Sequence, residues 1–337
     1  MIYQEEIRRA ESYKKAYLDG IEAVISQRQK EAEALRIDYF KDIFTDQEKY
    51  REELKQMLGW PLTEPADRNI PNAVFEKLSD EEGYTVFRVQ LEILTGLTLT
   101  GLFFKMQGDE KKPLIIIQHG GGGTPEIISG MYGGTSNYND MLMRVAKHGV
   151  HAFAPQLLLW GEPYGIPFDR TDIDARLKRV GSSITAIELY GIRRVLDFFE
   201  AESYVSAFGM VGLSYGGFYT LFAAAIDTRI KSSLSCSFFN KRDRCARSDW
   251  IWTNSAKKFD DAEVACLIYP RKLYIAMGDK DELFDSRYSA ESFERMKDYC
   301  KSIRTDWVDL TVFDGTHEFI NNDDAIYKLI NDIAFFD

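Results

Sequence analysis

The feature that most restricts this 337-residue chain is Gly212-Leu213-Ser214-Tyr215-Gly216, followed by Gly217. It lies between a strand-like run at 207–211 (AFGMV) and an apolar helical stretch at 218–226 (FYTLFAAAI). A serine on so sharp a strand-to-helix turn takes a strained backbone, and small neighbours two residues away on either side permit close chain approach. The turn also aims the hydroxyl above the sheet at a helix N-terminus, where the macrodipole favours negative charge. That placement suits a nucleophile. The competing reading is an ordinary glycine-rich turn.

The surrounding pattern supplies the context. Tyr84–Leu94 and Leu97–Met106 read as two strands joined across a Thr95-Gly96 turn. Leu114–Gln118 is a short uninterrupted apolar run, as expected for a strand buried on both faces of a parallel sheet. Val150–Pro155, Ser206–Val211, Ser232–Phe239, Lys272–Met277 and Leu310–Phe313 are further strand candidates. Helical stretches at Ile184–Glu202, Tyr215–Ile226, Ser286–Ile303 and Asp323–Phe336 alternate with them. Such alternation implies right-handed crossovers and a mostly parallel α/β sheet flanked by helices.

Residues 1–58 read as helical. Tyr3, Ile7, Ala10, Tyr13, Tyr17, Ile21 and Val24 recur in steps of three or four and line one helical face. Thr45-Asp-Gln-Glu48 has the spacing of a capping box for a second helix that stops at Gly59, with Pro61 beyond. The expected division is a helical extension over 1–71 and a catalytic α/β domain over 72–337.

Composition narrows the partners. Net charge is −11, with 53 acidic against 42 basic residues, so nucleic acid and anionic membranes are not expected partners. The basic cluster NKRDRCARSD is interrupted by acids and reads as a solvated surface. Cys236, Cys245, Cys266 and Cys300 form no C-x-x-C pair, which favours free thiols in a reducing compartment. With no apolar leader at the N-terminus, the expected location is cytoplasmic. A homo-oligomer is compatible with all of this.

From about residue 84 onward the chain resembles the α/β-hydrolase superfamily, whose triad runs serine, acid, histidine along the chain. The GLSYGG turn is similar to that of the dienelactone hydrolase/acetyl xylan esterase-like branch and to that of prolyl-oligopeptidase-like peptidases. Of the four histidines, His119, His148 and His151 precede the serine, and only His317 follows it. His317 is therefore the expected base. The H-x-x-H of His148 and His151 lacks the spacing of a helical metal pair, so no metal site is expected. Gly278-Asp279-Lys280-Asp281 resembles the superfamily's acid loop and points to Asp281, with Asp279, Glu282 and Asp285 close by.

His119-Gly120-Gly121-Gly122-Gly123 follows the strand that this superfamily uses for its oxyanion loop. The resemblance implies donors from Gly121 or Gly122 and from the Tyr215 N–H. A phosphate-cradling loop is disfavoured, because Pro125 occupies the third glycine position and no Walker lysine follows. Ligand contacts are expected from loops at the carboxyl ends of the strands. Trp160 and Glu162 lie on one such loop, and Trp250 and Trp252 on an insertion, Asn240–Arg271, able to cap the site.

The expected activity is a serine carboxylic ester hydrolase that forms an acyl-enzyme on short-chain or carbohydrate-borne esters, with a small-molecule ester as substrate and no cofactor. One alternative is a prolyl-oligopeptidase-like peptidase, against which residues 1–83 show no propeller-blade repeat. The other is a non-catalytic binding protein on the same fold.

Overall fold

The computed structural model describes residues 2–65, 67, 69–244 and 247–334. One sheet contains β1 (Ala73–Glu81), β2 (Tyr84–Leu94), β3 (Leu97–Met106), β4 (Lys112–Gln118), β5 (His151–Pro155), β6 (Val205–Leu213), β7 (Ile230–Cys236), β8 (Lys272–Gly278) and β9 (Val308–Phe313). Their spatial order is β1-β2-β3-β5-β4-β6-β7-β8-β9. The first three strands pair antiparallel, β3 joins β5 antiparallel, and β5, β4, β6, β7, β8 and β9 run parallel.

The helices are α1 (Glu11–Tyr39), α2 (Gln47–Leu58), α3 (Pro125–Ile128), α4 (Met141–Ala146), α5 (Arg170–Lys178) and α6 (Ile184–Glu200), then α7 (Tyr215–Ile226), α8 (Ser255–Lys258), α9 (Asp261–Cys266), α10 (Ser286–Tyr299) and α11 (Asp324–Ala334). The apolar run of β4 is explained by the two layers that cover it. Leu114 and Ile116 pack in one core with Val195 of α6 and Phe218 of α7. Ile115 and Ile117 point the other way, into a second core with Val145 of α4 and Leu329 of α11. A strand covered on both faces has no polar side to show.

The hairpin strands Tyr84–Leu94 and Leu97–Met106 recur as expected, and the other expected strands recur with end shifts of up to three residues. The strand expected at Ser232–Phe239 ends at Cys236, so 237–239 belong to the loop that follows. Helix α10 stops at Tyr299, and a short 3-10 turn, Cys300–Ser302, completes that stretch. Of the last expected helix, Phe335 and Phe336 lie outside the described residues.

One strand has no counterpart in the sequence reading, and one local expectation fails. β1 lies just before the hairpin, on the open edge of the sheet, where among the described residues it pairs with β2 alone and is largely exposed. The capping box at Thr45 does not form. The residue preceding α2 is Asp46, whose side chain caps nothing, while Thr45 Oγ1 donates to the Asp42 carbonyl at 3.0 Å.

The N-terminal helices behave differently from each other. Tyr50, Leu54 and Leu58 of α2 enter the same core as α6 and α7, and Arg51 Nε donates to the Ala225 carbonyl at 3.1 Å. By contrast, every residue from 11 to 30 of α1 is exposed, and burial begins only at Ala32. Cys236, Cys266 and Cys300 are free and buried; Cys245 lies outside the described residues. No described helix is long and apolar enough to cross a membrane.

Candidate active site

Ser214 occupies the junction of β6 and α7 with φ +60° and ψ −119°, a strained backbone for a residue with a side chain. The strain is held from three sides. The Ser214 N–H donates to the Cys236 carbonyl at the end of β7 at 2.9 Å, and the Ser214 carbonyl accepts from Phe218 N–H at 2.9 Å. Gly216 lies so close to the Gln118 carbonyl of β4 that any Cβ would collide with it. The glycine spacing is thus a packing requirement of the turn.

His317 lies on the loop after β9. Its Nδ1–H donates to Asp281 Oδ2 at 2.8 Å, and its ring stacks on Phe284 with centroids 5.6 Å apart. Asp281 is buried on the loop after β8, and its other oxygen accepts the N–H groups of Leu283 and Phe284 at 2.8 and 2.9 Å. These bonds fix the carboxylate and leave one oxygen for the imidazole. The neighbouring acids point elsewhere. Asp279 Oδ1 accepts the Gly315 N–H at 3.1 Å, and Asp285 caps α10.

The serine and histidine loops share supports. Ser237 Oγ donates to the Glu318 carbonyl at 3.1 Å, one residue after the strand end that holds Ser214 N–H. On the other side Asn137 Nδ2 donates to the His317 carbonyl at 2.9 Å, and Tyr138 Oη accepts the Gly120 N–H at 3.0 Å. A single short segment therefore ties the histidine loop to the glycine loop. Neither Ser214 Oγ nor His317 Nε2 has a hydrogen-bond partner among the described residues.

The glycine loop sits against the serine: a Cβ on Gly120 would lie 3.1 Å from that of Ser214. One of its expected donors is already engaged. The Gly122 N–H donates to the Leu159 carbonyl at 2.7 Å, because the loop after β5 pairs with it there. Gly122 is thus corrected from a donor to an anchor. The N–H groups of Gly121 and Tyr215 have no hydrogen-bond partner among the described residues. His119 is fully buried and spans the same two loops: Nδ1–H donates to the Gly120 carbonyl at 3.0 Å, and Nε2 accepts from Leu157 N–H at 3.4 Å. Burial pushes its pKa down to about 4, so it stays neutral.

The expected ligand contacts divide. Trp160 pairs through its backbone with Gly122, but its indole folds under its own loop and donates to the Ile166 carbonyl at 2.9 Å. Glu162 is exposed on that loop. Trp250 is buried against the Tyr215 ring, with centroids 4.6 Å apart. Trp252 packs into the core on Phe222 at 6.0 Å and is not a pocket residue. The insertion supplies packing behind the elbow, since tryptophan area is more valuable buried than displayed.

Sequence reasoning missed a buried polar network centred on Arg170. Its guanidinium donates to Glu188 Oε2, to Asp249 Oδ2 and to the Leu158 carbonyl, each at 2.8 Å. Glu188 Oε1 accepts the Leu158 N–H at 2.7 Å, and the Tyr215 hydroxyl donates to Asp249 Oδ2 at 2.9 Å. Both groups with an open N–H are therefore tethered to one arginine: Tyr215 through Asp249, and the glycine loop through the segment Leu158-Leu159. Burial, then the Asp249 carboxylate, raises the Tyr215 pKa, so its phenol stays protonated. Charges this dispersed along the chain (residues 170, 188 and 249) carry no local motif.

No family model and no curated protein matches the chain. Solved structures do. A Bacteroides fragilis protein named as a candidate acetyl xylan esterase superposes with TM-score 0.65 at 16% identity, covering 79% of this chain and 74% of its own. Glucuronoyl esterase from Solibacter usitatus gives TM-score 0.61 at 13% identity, with 86% and 91% covered. Acetyl xylan esterase 1 from Thermoanaerobacterium gives 0.56 at 15%, with 86% and 93% covered. Together with the sheet order and the serine elbow, these likenesses establish that the chain has the α/β-hydrolase fold.

Proposed function

We propose that the protein is a serine carboxylic ester hydrolase, with Ser214 as nucleophile, His317 as base and Asp281 as the residue that orients it. The observation that carries this reading is the combination of a strained Ser214 with a His317–Asp281 hydrogen bond of 2.8 Å across loops held by common supports. Ser214 Oγ attacks the acyl carbon while His317 Nε2 takes its proton, and the tetrahedral oxyanion is met by the N–H groups of Gly121 and Tyr215. The C–O bond then breaks, the alcohol leaves with the proton from His317, and an acyl-enzyme remains. Water attacks it by the same route in reverse, which releases the acid and restores Ser214. Asp281 holds the tautomer in which Nε2 is the basic nitrogen and stabilises the imidazolium.

The proposed substrates are small acyl esters, short-chain or carried on a carbohydrate. Supporting this are the half-buried, accessible positions of Ser214 and His317 and the esterases among the superposable structures. Hydrolysis of p-nitrophenyl esters from acetate to octanoate, beside a proline-peptide anilide and acetylated xylo-oligosaccharides, tests the reading. Turnover that is highest for acetate and extends to the acetylated sugars is expected. Cleavage confined to the anilide would move the protein to the peptidases, and a folded protein inert on every ester would remove the proposal.

A further inference from the structure

The N-terminal arm is an amphipathic helix with nothing against its apolar side. Twenty consecutive residues of α1, from 11 to 30, are exposed, a length of roughly 30 Å at 1.5 Å per residue. Tyr13, Tyr17, Leu18, Ile21, Val24 and Ile25 project from it, and Ile7 just before it is 91% exposed. A helix of this size is marginal in water without tertiary packing, and its apolar stripe is more than a soluble surface ordinarily displays.

The pattern of the stripe identifies its cover. Lys14, Tyr17, Ile21, Val24 and Arg28 of α1, preceded by Ile7 and Ala10 on the 3-10 turn Ile7–Ala10 and by Tyr3 in the residues before it, follow the alternating four–three spacing of a coiled-coil seam. We propose that this arm pairs antiparallel with the same arm of a second copy of the chain. Alternating seam positions then match as Ile7 with Val24, Ala10 with Ile21 and Lys14 with Tyr17, each pair formed twice about a two-fold axis. The axis falls between residues 15 and 16. Residues 11–20 then face the same residues of the second copy, and residues 21–30 face the segment that precedes its α1.

Charge and shape agree at the ends. In this register residues 2–5 of the second copy lie beside residues 26–29. There a groove of about 520 Å³ opens between α1 and the insertion after β7, with Ser26, Gln29, Lys30 and Arg244 among its walls. Lys30 has no carboxylate partner among the described residues, and Glu5 of the second copy would lie opposite Ser26, one helical turn from it on the same face; Glu33, Asp243 and Asp260 also line the groove. The middle layer sets a lysine against a tyrosine ring, a favourable cation–π pairing. Aromatic side chains bury on the order of 150 Å² each when covered. Three tyrosines and five aliphatic residues from each copy therefore reach the ~1,200 Å² of a specific interface.

Sedimentation velocity on the full chain at about 50 μM tests the pairing, against a chain mass of 38.8 kDa. A dimer is expected for wild type, and a monomer with unchanged ester turnover for Ile7→Lys/Ile21→Lys, since neither residue approaches Ser214. Register is read by disulfide trapping in a Cys245→Ser background. Mixing Ala10→Cys with Ile21→Cys chains should give cross-linked dimer, and neither variant alone should do so. A monomeric wild type, a dimer that survives the double lysine variant, or cross-linking by Ala10→Cys alone would each overturn the proposal. These results are independent of whether the protein hydrolyses esters.

Discussion

Ser214→Ala is expected to lower kcat on p-nitrophenyl acetate by 10⁴-fold or more, the scale seen when an acyl-enzyme nucleophile is removed. The variant should remain folded, for two reasons. Ser214 Oγ has no hydrogen-bond partner among the described residues, so its loss orphans no buried group. The positive φ at this position is imposed by the neighbouring glycines and by the bond to Cys236, and alanine meets the same strain that serine does. Residual turnover above water is expected, because the oxyanion donors and bound substrate persist without the nucleophile. An unchanged melting temperature with turnover within tenfold of wild type would show that another group performs the attack.

The second large effect concerns a residue that touches no substrate. Arg170→Met is expected to lower kcat by about 10²-fold with little change in KM, comparable to the loss of one oxyanion donor. The arginine holds Tyr215 through Asp249 and the glycine loop through the Leu158 carbonyl, so its removal loosens both N–H groups together. It also leaves Glu188 and Asp249 buried without their cation, which costs on the order of 3–5 kcal/mol. A drop in stability would accompany the kinetic loss. The double variant Arg170→Met/Glu188→Met separates the two. Replacing both partners of the Arg170–Glu188 pair by apolar groups should restore much of the stability, while kcat stays low because the loop is still unanchored. Recovery of kcat with stability would mean that the network merely supports the fold.

Parts of this arrangement that depend on local chemistry were legible in the sequence. The elbow is a run of adjacent residues whose small side chains are forced by contact with Gln118 and Cys236, so its signature is contiguous. His317 is the only histidine downstream of the serine, and Asp281 sits at a strand end. What was not legible depends on pairings between distant segments. Gly122 is taken out of the oxyanion donors by Leu159, on a loop that follows a different strand. Arg170, Glu188 and Asp249 meet only after the fold closes. β1 escaped notice because, as an edge strand exposed on most of its length, it carries the charged residues of a surface segment. The sequence reading places Trp250 and Trp252 among the ligand contacts although tryptophans on an insertion are more often packing, and the packing of the insertion decides it. The four–three spacing on α1 is legible in the sequence, whereas that the body of the chain leaves residues 11–30 uncovered is visible only in the fold.

Fluorophosphonate labelling of the wild-type protein, with digestion and mass spectrometry to locate the adduct, tests most directly that Ser214 is an activated nucleophile. Near-stoichiometric modification confined to the peptide that contains Ser214, and slowed by a competing acetyl ester, is the expected result. A folded protein that takes up no label, or that carries it on another residue, would contradict the assignment of Ser214 and His317 as nucleophile and base.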